Sequence, residues 1–292
     1  MPENPLAEVF GFPIDNFSPE ANRHRSRRLC PYNNKVPNCT KDKAKDPLGV
    51  CSIFDDSNIA ITCPVRFRQD WLIADDAASF FFPNNVSWTS LTEVRLPDKS
   101  GRSAGNIDVV LVAYDTHGHV IDFGALEIQA VYISGNVRNV FDAYMRDPSR
   151  QFDKRWEGPY HPRPDYLSSS RKRLAPQLLY KGGILNAWGK KLAVAVDTSF
   201  FLNLPELPET NAADADIAWL VYGLELDPTP NRFVLSQQKT VFTSFTPALE
   251  TLTQTQAGPI DEFIEHLQQK LDEKLENGYP PVAPTLLDTD DE

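Results

Sequence analysis

Two apolar runs around a short polar turn constrain this chain more than any other feature. Asn106-Ile-Asp-Val-Val-Leu-Val-Ala-Tyr leads into Asp-Thr-His-Gly-His, and Val120-Ile-Asp-Phe-Gly-Ala-Leu-Glu-Ile-Gln-Ala-Val-Tyr-Ile follows. Apolar, β-branched runs flanking such a turn predict a β-hairpin. Their nearly continuous apolarity predicts strands covered on both faces, in the middle of a sheet. Side chains alternate along a strand, so Glu127 and Gln129 share a face. With a two-residue loop at His117-Gly118, Thr116 pairs with His119 and Asp108 lies opposite Glu127. Like charges placed so are destabilising, with Cβ atoms about 5 Å apart. A buried pair persists when a cation sits between the carboxylates or when they share a proton, and oxygen-rich pairs of this kind suit Mg²⁺. Exposed hairpin ends with both carboxylates in water are the alternative.

Composition bounds the rest. The 292 residues carry 41% hydrophobic and 24% charged side chains, the balance of an ordinary globular chain. No apolar run approaches the roughly 20 residues of a membrane span, and the first residues lack the basic and apolar regions of a signal peptide. The expected setting is therefore cytoplasmic, with thiols reduced. A net charge of −11 argues against nucleic acid if taken alone. Its distribution argues otherwise: residues 131–195 hold 12 Lys/Arg against 5 Asp/Glu, and residues 196–292 hold 4 against 18. A basic block followed by an acidic third fits one phosphate-facing surface and one solvated flank.

The chain divides into three stretches. Residues 1–66 form an N-terminal arm containing all four cysteines, residues 67–278 form the main domain, and residues 279–292 read as a disordered acidic tail. Within the main domain, Pro159 to Ser170 reads as irregular and about Lys172 to Lys190 as helical. Strand-like runs follow from Lys191, Asp216 and Asn231. Ile260, Phe263, Ile264, Leu267 and Leu271 recur at helical spacing, on a helix that packs on its own core or forms a dimer seam.

Cys30, Cys39, Cys51 and Cys63 are spaced C-x8-C-x11-C-x11-C, unlike the paired C-x2-C of common zinc modules. Four cysteines within one short reduced segment favour a tetrahedral all-thiolate site for Zn or Fe. Two disulfides, or four unrelated buried thiols, remain as alternatives.

The residues now carry a resemblance. Asp108 followed by Glu127-x-Gln129 resembles the PD-(D/E)XK nuclease core in its Gln variant, with Glu93 upstream where many members have a further acid. Cys30-Pro-Tyr, Gly49-Val-Cys-Ser, Cys63-Pro-Val-Arg-Phe, Gly105-Asn-Ile-Asp and Ala125-Leu-Glu-Ile-Gln make the chain similar to the NotI-like type II restriction endonucleases, in their shorter members. The resemblance covers residues 1–145 well and the remainder loosely. It implies an α/β fold with a central mixed β-sheet flanked by helices, plus a small four-cysteine metal-binding motif. It also implies a bacterial homodimer that cuts a GC-rich palindrome in double-stranded DNA, with a cognate methyltransferase in the same host.

On that resemblance Asp108 and Glu127 hold Mg²⁺, Gln129 orients the attacking water, and Glu93 is a further carboxylate that either stands behind these ligands or holds a second metal. Cys30, Cys39, Cys51 and Cys63 then hold Fe or Zn. The candidate DNA contacts are Arg146, Arg150, Lys154, Arg155, Arg163, Arg171, Lys172, Arg173 and Lys181, since arginine reads guanine bidentately. His117 and His119 have a spacing that metal ligands also use. A repair or junction nuclease of the same superfamily, and a non-catalytic DNA-binding protein, are the competing readings.

Overall fold

In a computed structural model, the described residues are 4–276 except 34, 43, 44, 159 and 256. By contacts the chain falls into two units, Met1–Thr253 and Gln254–Glu292.

The first unit is built on two sheets. The smaller has the order β2-β1-β3-β4, from β1 (Leu6–Val9), β2 (Phe12–Pro13), β3 (Val50–Asp55) and β4 (Asn58–Ile61). Helix α1 (Pro19–Arg27) follows β2, capped by the Ser18 hydroxyl, which accepts the Ala21 N–H. After β4, a 3₁₀ segment from Pro64 leads into α2 (Leu72–Phe81).

The larger sheet has six strands in the order β12-β11-β10-β7-β6-β5. These are β5 (Trp88–Pro97), β6 (Ser103–Tyr114), β7 (Val120–Gln129), β10 (Leu192–Asp197), β11 (Ile217–Asp227) and β12 (Arg232–Thr243). β10 runs parallel to β7 and β11, and the other pairs are antiparallel, so the sheet is mixed. Every residue of β10 is buried. Its run Leu-Ala-Val-Ala-Val is apolar on both faces because both are covered.

The parallel connection from β7 to β10 carries the helices of one face. It passes through β8 (Tyr132–Ser134), α3 (Val137–Arg146), α4 (Pro148–Gln151) and β9 (Arg163–Asp165), which pairs with β8. Then come α5 (Tyr166–Ser169), α6 (Ala175–Gln177) and α7 (Gly183–Ala187), joined without a break by π-helical turns at Ser170–Leu174 and Leu178–Gly182. The segment expected to be irregular up to Ser170 is therefore helical from Tyr166 onward. Pro176 is the physical cause of the irregular winding: it has no N–H to donate and its ring crowds the preceding turn. After β10 come α8 (Thr198–Leu202) and, beyond β12, α9 (Phe245–Thr253).

Leu174, Leu178 and Leu185 of this helical connection pack with Val110, Ala125, Val194, Val196 and Trp219 on one face of the large sheet. The same core takes in Leu6, Val9, Val50 and Ile53 of the small sheet. On the other face, Ile73, Ala74 and Ala77 of α2 cover Val109, Leu111, Leu126 and Ala195.

In the second unit, α10 (Ile260–Glu276) is amphipathic, and no residue of it is buried. The expected acidic tail at 279–292 lies outside the described residues. Among the described residues, no helix is long and apolar enough to cross a membrane.

Candidate active site

The hairpin forms with the expected pairing but a different turn. The ladder from Val109↔Leu126 to Ala113↔Asp122 keeps the register that sets Asp108 opposite Glu127. A bulge then shifts Tyr114 onto Val120, and the loop runs from Asp115 to His119 rather than over His117-Gly118 alone. Asp115 organises it by accepting the N–H groups of His117 and His119 on one carboxylate oxygen. That turn chemistry is what outweighs a two-residue loop. The histidines stay exposed at its tip. The outer hairpin is also more open than its apolarity suggests, with Val120 and Ile121 exposed. β10 pairs only with Ala125–Gln129, so it covers the inner half of β7 alone.

At that inner end the carboxylates meet. Asp108 accepts the Ile128 N–H at 2.9 Å, which fixes it against the strand that carries Glu127. Glu127 is buried, and burial together with the nearby Asp108 charge pushes its carboxyl up to about 7. Lys181 opposes that shift: its ammonium donates to Glu127 Oε2 at 2.6 Å and to the Asn106 carbonyl at 2.9 Å. The other Glu127 oxygen, Oε1, is buried with no hydrogen-bond partner. A buried acceptor left open costs about 1–3 kcal/mol.

Gln129 lies two residues on, buried, with its amide nitrogen donating to the Ala130 carbonyl at 3.0 Å. Glu93 falls between the pairs Thr92↔Val109 and Val94↔Ile107, hence in register with Asp108 on the next strand. Its backbone is left-handed, with φ 58°, a strained state for a non-glycine residue. Three acidic residues are thus brought onto three neighbouring strands. Among the described residues, however, no group of three or more His, Cys, Asp or Glu is arranged to hold a metal, so Glu93 does not close with the other two.

A family model described as Restriction endonuclease NotI matches residues 8–235, most of the chain. The chain belongs to the NotI restriction endonuclease family. With that membership comes the activity of a type II site-specific deoxyribonuclease, whose substrate is DNA. No curated protein matches the chain.

The match to the NotI family spans both sheets through β11 and into β12, so the cysteine segment belongs to it too. All four cysteines are free thiols, and all but the half-buried Cys30 are buried. Burial pushes the Cys30 thiol up to about 12, with the charges of Cys63 and Cys39 adding to the shift. Cys51 is raised by burial and then by Cys63, Glu8, Cys30 and Cys39. The thiols therefore lie in one neighbourhood, but among the described residues no cysteine group is arranged to hold a metal as expected. Lys41 shares that neighbourhood: its ammonium feels Cys63, Cys51 and Cys39 and donates to Val50 O, Thr62 O and Thr62 Oγ1. Burial raises the Cys39 thiol as well, and the Lys41 charge partly opposes that shift.

The basic candidates separate cleanly. Arg146, Arg150, Lys154, Arg155, Arg163, Arg171, Lys172 and Arg173 are all exposed, as a phosphate-facing surface requires. Lys181 is buried and leaves that set. Sequence reasoning missed its place at the carboxylates, though a signal was present. Leu174, Leu178, Lys181 and Leu185 recur at helical spacing, so Lys181 replaces an apolar residue on a buried stripe.

Asp197 was also missed. It ends β10 fully buried, accepts N–H bonds from Ile61 and Phe200, and is pushed by burial to about 7. Ile61 in turn accepts the Val131 N–H at 2.8 Å. The end of β4, two residues before Cys63, is thereby bonded to the chain just beyond β7 and to the end of β10.

Proposed function

We propose that this enzyme is a homodimeric PD-(D/E)XK nuclease that makes Mg²⁺-dependent double-strand cuts in a GC-rich palindrome. The observation that carries the reading is the Asp108–Glu127 pair with one buried Glu127 oxygen left open. Two carboxylates fit Mg²⁺, which takes one or two of them and completes its shell with waters and substrate phosphate. When bound, the ion lowers the pKa of a water and offsets charge on the phosphate.

The protein's own groups do the rest. Asp108 is held by the Ile128 N–H, and Glu127 by Lys181, so both carboxylates are placed before substrate arrives. Gln129 supplies no charge; its side-chain amide orients the attacking water by hydrogen bonds. Glu93 supplies a further carboxylate from β5. The exposed arginines on and around the helical connection face the DNA, and two-fold symmetry of a dimer matches a palindrome. Cutting a recurrent short site also requires that host copies be protected, hence a methyltransferase in the same bacterial cytoplasm.

Plasmid cleavage with Mg²⁺, followed by mapping of the ends, tests the reading. Asp108→Ala is expected to abolish cutting while metal-free DNA binding persists. Unchanged cutting by that variant, or single-strand nicks without a defined site, would overturn it. A structural Fe or Zn held by Cys30, Cys39, Cys51 and Cys63 is supported by their number, reduced state and neighbourhood. Elemental analysis decides it, with one metal per chain expected and none removing it.

A further inference from the structure

We infer that Lys181 is a positioning residue of the active centre: it fixes one oxygen of Glu127 and leaves the other open. The inference rests on the nuclease reading above and deepens it. Lys181 reaches both strands that carry the carboxylates, through Asn106 O on β6 and Glu127 Oε2 on β7. With Oε2 held at 2.6 Å, Oε1 is the buried oxygen left without a hydrogen-bond partner.

The Lys181 stem runs past Gly105, where an added Cβ would make only ordinary van der Waals contact with it, 3.5 Å from the Lys181 Cδ. Gly105 itself has φ +119°, a backbone that other residues rarely adopt. On the helical side, Lys181 lies within the π turn Leu178–Gly182, closed by the Gly183 N–H on the Leu178 carbonyl. A π turn inserts a residue relative to α-helical register and re-aims the side chain within it, a device frequent at functional sites. Leu178 and Leu185, fully buried on either side, lock that turn onto the sheet.

Stability alone does not account for a lysine here. Lys181 and Glu127 side chains are 7% and 4% exposed, and replacing such a buried pair by apolar residues is often neutral or stabilising. Leucine would continue the stripe of Leu174, Leu178 and Leu185. The ammonium instead gives the site the positive charge that Gln129, with its neutral amide, does not provide.

The test combines unfolding with kinetics. In metal-free buffer, Lys181→Met, Glu127→Gln and the double variant form a cycle in which the double change is expected to cost less than the sum. At saturating Mg²⁺ and DNA, Lys181→Met is expected to lower kcat about a hundredfold, the scale of a small misplacement of a catalytic group. KM for DNA should hardly move, because Lys181 is buried and off the DNA-facing surface. Lys181→Gln, which keeps a donor for Asn106, serves if the methionine variant does not fold. Additive unfolding costs, or a kcat near that of the wild type, would overturn the assignment. A wild-type protein that cuts no DNA overturns the nuclease reading as well, whereas coupled unfolding with unchanged cutting overturns Lys181 alone.

Discussion

At the scale of single residues, two buried carboxylates at the ends of adjacent parallel strands dominate the chemistry. Glu127 and Asp197 are both pushed up to about 7 by burial, Glu127 with help from Asp108. A carboxyl whose folded pKa lies above its unfolded value stabilises the fold most when protonated, and that contribution is lost as pH rises through the folded pKa. Wild type should therefore gain stability over Asp197→Asn as pH falls from about 8 to about 5, a window that spans the folded value of about 7. Denaturant melts of both proteins across that range check it; a constant difference would mean that Asp197 does not titrate there. Asp108 and Glu127 were legible in the sequence because two acids interrupt apolar strands at matched positions. Lys181 was read as a DNA contact and Asp197 not at all, because each belongs to an element whose partner strand lies far away along the chain.

At the scale of elements, the helical connection from Tyr166 to Ala187 has two faces with different work. Its apolar stripe packs on the sheet and delivers Lys181, while Arg171, Lys172 and Arg173 of the first π turn stand exposed. Replacing these three by Ala should lower metal-free DNA affinity and flatten its dependence on salt. The slope should fall by about 0.9 for each of the three that neutralises a phosphate. Fluorescence anisotropy across a salt titration measures it, and an unchanged slope would remove the triplet from the interface. The helix itself was visible in the sequence, but its π turns were not. Pro176 marks where regular winding fails, yet only packing against the sheet chooses how the chain accommodates it.

For the whole molecule, the small sheet and the large one share a core and are also pinned by charge. Arg66 is fully buried; it pairs with Glu8 of β1, donates to Gln69 beside it, and donates to the Phe233 carbonyl on β12. Arg66→Met would leave the Glu8 carboxylate buried without its cation, at a cost of about 3–5 kcal/mol. Adding Glu8→Gln should return part of that loss, since the stranded charge is then gone. Equilibrium unfolding of the single and double variants tests both statements; a cost below about 1 kcal/mol, the scale of an exposed pair, would show that Arg66 does not pin the sheets.

Alternation and apolarity along the chain were enough to determine the hairpin, the strands that became β10, β11 and β12, and the face shared by Glu127 and Gln129, whereas Asp108 meets Glu127 only because the bulge at Tyr114 offsets a loop longer than the expected two residues. These are local properties: strand period fixes which side chains point together, and a turn fixes which residues stand opposite. Tertiary structure alone decided how the thiols are arranged, that Glu93 lies in register with Asp108 without closing on it, and that Lys181 is buried against Glu127 while the arginines stay exposed. Each of those depends on burial and on contacts between distant segments, which set the energy of a charge far more strongly than its neighbours in sequence do.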